Sequence, residues 1–391
     1  MKLVVIGLGQ CGGRVADEFA RLNGRAHAQR GIEIISSVFA VNSDAADLSG
    51  LTTIRKDYQH RILIGGRKTG GHGVGKINEL GAEIAKEDGD KIVDAIRTAR
   101  RLFEADAFLL VASAGGGTGS GSLPIVTQLV KERYLDKPVY DMVVLPFEHE
   151  ESTEERTIYN SATCLKSVNA VADAVFLVDN QRYVRKDSSL RNNLTKINSL
   201  IVEPFYDVLC AGEEKKPKHI GAKLLDAGDI IQTLVGWTVI GFGRSQLPML
   251  RMPFERRDDF RKKGTETHKG MQAMDEAISE LSLKCNPADA SRALYLIAAP
   301  SKELNMDTVK DLGDYLRDIA PHAIIRNGDY PRERGALDVT VILSELSEVE
   351  KVRGYYSEST AFLQQVEKKQ AALENKLRSI DEAAKDIPSL F

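Results

Sequence analysis

The stretch Ser113-Ala114-Gly115-Gly116-Gly117-Thr118-Gly119-Ser120-Gly121-Ser122 follows the apolar run Ala107-Phe108-Leu109-Leu110-Val111-Ala112. It precedes an amphipathic segment with Leu123, Val126, Leu129 and Val130 on one side. The pattern predicts a buried strand, a loop nearly free of side chains and a helix N-terminus. Glycine lets backbone N–H groups close on phosphate oxygens, and the dipole of the following helix favours negative charge. Thr118 and the flanking serines add hydroxyl donors. A flexible Gly/Ser linker rarely sits between a strand and a helix, so the segment reads as a phosphate loop.

Two further glycine-rich segments bear on the same chemistry. Gly7-Leu8-Gly9-Gln10-Cys11-Gly12 has G-x-G-x-x-G spacing in a strand–turn–helix context, which by itself suits a dinucleotide fold. That reading wants an acid at the end of the second strand for the ribose hydroxyls, where Asn42 stands in Ala40-Val41-Asn42-Ser43-Asp44. Gly70-Gly71-His72-Gly73-Val74-Gly75-Lys76-Ile77 contains the G-x-x-x-x-G-K core of a P-loop, but Ile77 occupies the place of the magnesium-binding hydroxyl. Turns at the carboxyl ends of parallel strands share one sheet edge, where open α/β sheets bind ligands. Convergent donors around a di- or triphosphate are the economical explanation.

The bulk composition sets limits. A chain of 391 residues, 42% hydrophobic and 28% charged, is expected to form two domains or three. A net charge of −3 leaves no basic excess for nucleic acid. Cys11, Cys164, Cys210 and Cys285 are scattered without metal-ligand spacing, as suits a reducing compartment. Met1-Lys2 leads straight into a strand, so no signal peptide is expected. No apolar stretch nears the roughly 20 residues of a membrane span. The expectation is a cytoplasmic protein without membrane insertion.

Strand-like runs Lys2–Gly7, Ile34–Val41, Ala107–Ala112, Val139–Leu145 and Ala174–Asp179 alternate with helical patterns at Arg14–Leu22 and Lys91–Leu102. That alternation predicts a parallel sheet covered on both faces. A long helical pattern spans Leu190–Leu209, where Pro204 marks a kink or a helix start. The polar segment Gly212–Pro217 is read as a boundary. A second α/β pattern follows, with helices near Ala227–Leu234, Lys269–Leu283 and Met306–Ile319. Its strands are Trp237–Gly243, Arg292–Ala299, His322–Asn327 and Ala336–Leu343. Arg244–Gly264, rich in charge and proline, reads as a surface loop. From Tyr355 the chain is charged and helical. Val366, Leu373, Ile380 and Ile387 fall seven apart, with Leu363, Leu377 and Ala384 between them. That seam fits either a terminal helix packed on its own domain or a partner helix.

These residues together resemble the tubulin/FtsZ superfamily of GTPases, and the archaeal CetZ group most of all. The family's G-G-G-T-G-[ST]-G motif stands as Gly115–Gly121. Gly9-Gln10-Cys11-Gly12-Gly13-Arg14 carries the Gln-Cys pair of tubulins. Asn42-Ser43-Asp44 is similar to the second family loop, and Gly70–Gly75 to the third. Pro146-Phe147-Glu148-His149-Glu150 is similar to the FtsZ segment that reaches the ribose, although FtsZ continues G-x-x-R and this chain continues Glu151-Ser152-Thr153-Glu154-Glu155-Arg156.

The resemblance implies a Rossmann-like parallel-sheet GTPase domain (1–189), a core helix and linker (190–218), a smaller α/β domain (219–345) and a helical tail (346–391). It implies GTP or GDP held by Gly9, Gln10, Cys11, Gly12, Gly13, Arg14, Asn42, Asp44, Gly71, His72, Gly73, Ala114, Gly115, Gly116, Gly117, Thr118, Gly119 and Glu150. Asn180 and Asn198 would read guanine, because an amide both donates and accepts. Mg²⁺ would be held mainly by phosphates and water. Gly221–Asp229 is similar to the loop that one subunit inserts into its neighbour's site. Asp226 and Asp229 there would polarise the attacking water, with Leu224 replacing the family asparagine. The implied activity is head-to-tail polymerisation with GTP hydrolysis at the subunit interface, serving cell shape. A division ring or, more remotely, a Rossmann NAD-dependent oxidoreductase is the alternative. Asp386–Phe391 faintly resembles the FtsZ tail peptide that docks membrane adaptors.

Overall fold

The computed structural model describes residues 1–99, 101–184, 190–247, 259–333 and 335–364, with Lys376, Glu382 and Lys385 beyond. Among the described residues ten strands form one sheet: β1 (Leu3–Leu8), β2 (Ile35–Asn42), β3 (Arg61–Leu63), β4 (Ala107–Ser113), β5 (Val139–Leu145), β6 (Ala174–Asp179), β7 (Gly236–Gln246), β8 (Ala290–Ala299), β9 (Ile324–Pro331) and β10 (Ala336–Leu346). Their order is β3-β2-β1-β4-β5-β6-β7-β10-β8-β9. The strands from β3 to β6 are all parallel. β7 joins β6 in parallel through three residue pairs, Ala174–Gly236 to Phe176–Thr238. It then pairs antiparallel with β10 along eight residues, and β10 pairs antiparallel with β8.

Apolar side chains alternate between the two faces of each strand. Along β1, Val4, Ile6 and Leu8 enter one core and Leu3 and Val5 the other; β4 divides the same way. With both faces covered, a strand must be apolar throughout, which is why these runs are continuous. The second core is closed by Gly9–Arg30, Leu190–Val202, Phe205–Ala211 and Ala227–Thr233, all helical.

Several elements differ from the sequence expectation. The first helix spans Gly9–Arg30 rather than Arg14–Leu22, so the glycine-rich turn is itself helical. The core helix is broken into Leu190–Val202 and Phe205–Ala211, with Pro204 starting the second segment. Proline fits a helix start because its missing N–H would have no partner there. Lys91–Leu102 shortens to Gly89–Arg97. Helices Asn78–Glu87, Glu148–Thr153 and Glu155–Val171 and the strand β3 were not anticipated. Where a loop was expected over Arg244–Gly264, Arg244–Gln246 extend β7 and the residues from Asp259 begin a helix, Asp259–Ser279; residues 248–258 lie outside the described residues. A helix covers 350–364 and sets Phe362 beside Tyr159, ring centroids 5.9 Å apart. The seam positions Val366, Leu373, Leu377, Ile380, Ala384 and Ile387, and the peptide Asp386–Phe391, lie outside the described residues. No helix among the described residues is long and apolar enough to cross a membrane.

Buried charge ties the core helix to the C-terminal strands. Arg332, 3% exposed, pairs with Asp207 at 2.8 Å and with Asp338 at 2.9 Å. Arg244 completes the group by a fork onto Asp338, at 2.9 and 2.7 Å.

Candidate functional site

The carboxyl ends of β1, β2, β4, β5 and β6 surround a cleft of about 360 Å³. Two helices start at its floor. The Gly9–Arg30 helix follows Leu8 and the Thr118–Arg133 helix follows Gly117; neither N-terminus has a side-chain cap, and neither first turn holds an acid. Uncapped first turns leave backbone N–H groups unpaired and a partial positive charge exposed, which is an anion site.

The loops around this floor interlock through their glycines. Gly9 has φ +71°, and a Cβ there would stand 2.9 Å from Gly119 N. A Cβ on Gly117 would stand 2.6 Å from Val74 Cγ2 and 2.8 Å from Lys76 Cα. Real Cβ atoms do not approach so closely, so a side chain at either position would push the turns apart. The hydroxyls of Ser43 and Thr118 share a 2.7 Å hydrogen bond across the second and fourth loops.

Of the residues singled out from sequence, Gly9, Gln10, Cys11, Arg14, Asn42, Asp44, Gly73, Gly115, Gly116, Gly117, Thr118, Gly119, Glu150, Asn180 and Asn198 line the cleft. Gly12 and Gly13 do not; both are buried in the first helix, where Gly12 lies against the Val111 carbonyl. Ala114 is fully buried behind the turn. Gly71 and His72 sit just outside: His72 forms a backbone bridge with Asp44 and is exposed.

Several lining groups have structural duties. The Asp44 carboxylate caps the Ala45–Ser49 helix, accepting from Ala46 N at 2.8 Å and Asp47 N at 3.0 Å. Glu150 accepts from Phe147 N at 3.0 Å, fixing the start of its own helix. Desolvation pushes the Cys11 thiol up to about 12, and the Glu150 charge adds to the rise. The Cys11 thiol is therefore held protonated on the cleft wall. Lys76 pairs with Glu154 at 2.6 Å. Arg156 does not line the cleft; it pairs with Glu79 and donates to Lys76 O.

Also lining the cleft, Asn180 and Asn198 are 9% and 8% exposed. Neither side chain makes a hydrogen bond among the described residues, so two nearly buried amides present free donors and acceptors on one wall. Leu194 and Arg14 line the same cleft.

Asp226 and Asp229 are elsewhere. Asp226 caps the Ala227–Thr233 helix by accepting from Asp229 N at 2.9 Å. Its backbone neighbours the start of β1: a Cβ on Gly212 would lie 3.4 Å from Asp226 Cα and 3.7 Å from Met1 N. The cleft opens past Leu8, at the opposite end of that strand. Six residues at 3.3 Å each put the acid pair about 20 Å from the phosphate floor. Asp329 of β9 fixes the preceding loop against that strand, accepting from Ala222 N at 3.0 Å and Lys223 N at 2.6 Å.

Sequence reasoning missed Asp47, which accepts from Gln10 at 2.7 Å and from Asn42 at 3.1 Å and so aligns the first two loops. Its place three residues past the Asp44 cap was the available signal. Thr157 also lines the cleft without any motif to mark it, and Phe147 lines it from within the Pro146–Glu150 segment. Among the described residues no group of three or more His, Cys, Asp or Glu side chains is placed to hold a metal.

Comparison with known proteins agrees with this geometry. The tubulin/FtsZ family GTPase domain matches residues 2–186, and the C-terminal domain of tubulin-like CetZ matches residues 187–361. The tubulin-like protein CetZ1 of Haloferax volcanii is 33% identical over 370 residues, covering 90% of each chain. A solved structure of that protein, a GDP-bound monomer, superposes with a TM-score of 0.79 at 29% identity, covering 93% of this chain and all of the other. CetZ2 of the same organism, solved as a GTPγS-bound protofilament, gives a TM-score of 0.79 at 27% identity over 94% of this chain and all of the other. The chain belongs to the tubulin/FtsZ family of GTPases, among its CetZ members.

Proposed function

We propose that the chain binds GTP in this cleft, polymerises head to tail in the cytoplasm, and hydrolyses GTP where one subunit's cleft meets the next subunit's acid pair. The observation that carries the reading is the separation of Asp226 and Asp229 from the cleft along the length of β1. One chain cannot bring them together, whereas a copy stacked along the strand direction can. The two helix N-termini and the Gly115–Gly119 turn would take the phosphates. Asn180 and Asn198 would take the guanine edge.

The residues present suit this ligand. Unpaired N–H groups without a nearby first-turn acid favour a polyanion, and the free amides match a base with adjacent donor and acceptor groups. Mg²⁺, held chiefly by phosphate and water oxygens, would supply neutralisation of the phosphate charge. Catalysis by the chain itself is positioning of the phosphates by main-chain donors and of water by the two carboxylates. CetZ1 and CetZ2 carry GDP and GTPγS in their solved structures, and CetZ2 is a protofilament. A role in cell shape, rather than in a division ring, follows the CetZ likeness.

Turnover per molecule should rise with protein concentration, and the protein should sediment with GTP but not with GDP. A constant specific activity across concentrations would end the shared-site reading. Gly117→Val should weaken GTP binding more than tenfold, read by titration of a fluorescent GTP analogue, because the new side chain would meet Val74 and Lys76. Unchanged affinity would show that the interlocked turns do not form the site.

A further inference from the structure

Asn160 lies on the Glu155–Val171 helix, fully buried, and does not line the cleft. Its Nδ2 nonetheless touches both phosphate loops from behind. It lies 2.9 Å from the Lys76 carbonyl, 3.2 Å from that of Gly115 and 2.9 Å from that of Gly116. Two N–H bonds are thus shared among three acceptors. The orientation of the amide is forced, since turning it over would aim Oδ1 at three carbonyl oxygens. Oδ1 is accordingly left buried without a partner.

The arrangement has a direct effect on the donors that face the cleft. In a trans peptide the C=O of one residue and the N–H of the next point in opposite directions. Drawing back the carbonyls of Gly115 and Gly116 therefore turns the N–H groups of Gly116 and Gly117 forward. Neither N–H makes a hydrogen bond among the described residues. Lys76, on the third loop, holds φ at +62°, a conformation that costs a residue with a Cβ and must be maintained by its surroundings. Its carbonyl accepts from Asn160 and from Arg156 Nε at 3.2 Å.

We propose that Asn160 is a positioning residue for the phosphate site: its single amide locks the Gly70–Lys76 loop to the Gly115–Gly117 turn and aims the N–H groups of Gly116 and Gly117 at the ligand. The proposal deepens the reading of the cleft as a GTP site and rests on it for the identity of the ligand.

The test uses the full chain with Asn160→Asp, which keeps the shape but removes the donor, and Asn160→Ala, which removes the whole group. Without nucleotide, hydrogen exchange should quicken in the peptides covering 70–77 and 113–118 in both variants, with the rest of the protein unchanged. GTP affinity should fall at least tenfold in both at pH 8. Only Asn160→Asp should regain affinity as the pH is lowered toward 6, because a carboxyl facing carbonyls has a raised pKa and its protonated form restores one donor. Burial alone also raises the pKa of a carboxyl at this place, so the pH response supports the proposal only together with quickened exchange of both loops in the uncharged Asn160→Ala. Unchanged exchange in both loops, or equal losses in the two variants at every pH, overturns the proposal. If Asn160→Asp does not fold, the exchange arm on Asn160→Ala decides alone. Failure of the unsubstituted chain to bind GTP would instead sink the reading of the cleft, and the exchange arm would still judge Asn160.

Discussion

Replacing Asp226 and Asp229 together by alanine is expected to cut GTP turnover by on the order of 10²–10⁴-fold, the usual contribution of a positioned acid–base group, while GTP affinity stays unchanged. Binding persists because neither residue lines the cleft of its own chain. The loss of the Asp226 cap costs the Ala227–Thr233 helix about 1 kcal/mol, too little to unfold the protein. Mixing sharpens the experiment. A chain without the acid pair has an intact cleft, and Gly117→Val has an intact acid pair. Random co-assembly would place an intact cleft against an intact pair at about a quarter of the interfaces of a heterologous, head-to-tail polymer. Turnover should therefore return when two inactive proteins are combined. No rescue, with both proteins present in the pellet, would locate the chemistry within one subunit.

Arg332→Met should destabilise the fold by about 3–5 kcal/mol at neutral pH, because it leaves Asp207 and Asp338 buried without their shared cation. Urea denaturation followed by circular dichroism measures this. Burial raises the Asp338 carboxyl, but the hydrogen bond and charge of Arg244, together with Arg332, bring it below the usual carboxylate range. A lowered folded-state value means that this contribution is complete above the unfolded carboxylate pKa and is lost as pH falls through the folded one. In Arg332→Met that depression is weakened, so acid should cost the variant less than it costs the parent, and the gap between them should narrow as pH is lowered. A gap that is constant with pH would show that the guanidinium acts by packing alone.

The central sheet was legible because each parallel strand had to be apolar on both faces: β4, β5 and β6 lie within a residue of the runs that announced them. The phosphate turn was equally plain, since only glycine tolerates turns pressed together as Gly9 and Gly119 are. The start of the first helix was not legible. Glycines at 12 and 13 look like loop residues, yet Gly12 is helical because the helix packs onto the Val111 carbonyl, a tertiary demand with no local mark. The first ten residues of the Asp259–Ser279 helix were hidden for a different reason, as Arg261-Lys262-Lys263-Gly264-Thr265-Glu266-Thr267 offers no apolar period, whereas the part from Lys269 was read from sequence. Asp47 and Asn160 act through single side-chain bonds across long stretches of chain, and pattern reading has no purchase on such contacts.

The direct ladder between β6 and β7 has three residue pairs, against eight between β7 and β10, and beyond it the two strands are linked through Ser282, which donates to Leu177 O and accepts from Ile240 N. In a polymer that grows along the strand direction, tension would load the ladders of the parallel sheet in shear, many bonds at once, since those bonds lie across the strands. The short junction is then the mechanical fuse. Under pulling it should slip before the longer β7–β10 ladder, so that a strained filament lengthens first by parting its two halves and only later by unravelling the C-terminal one.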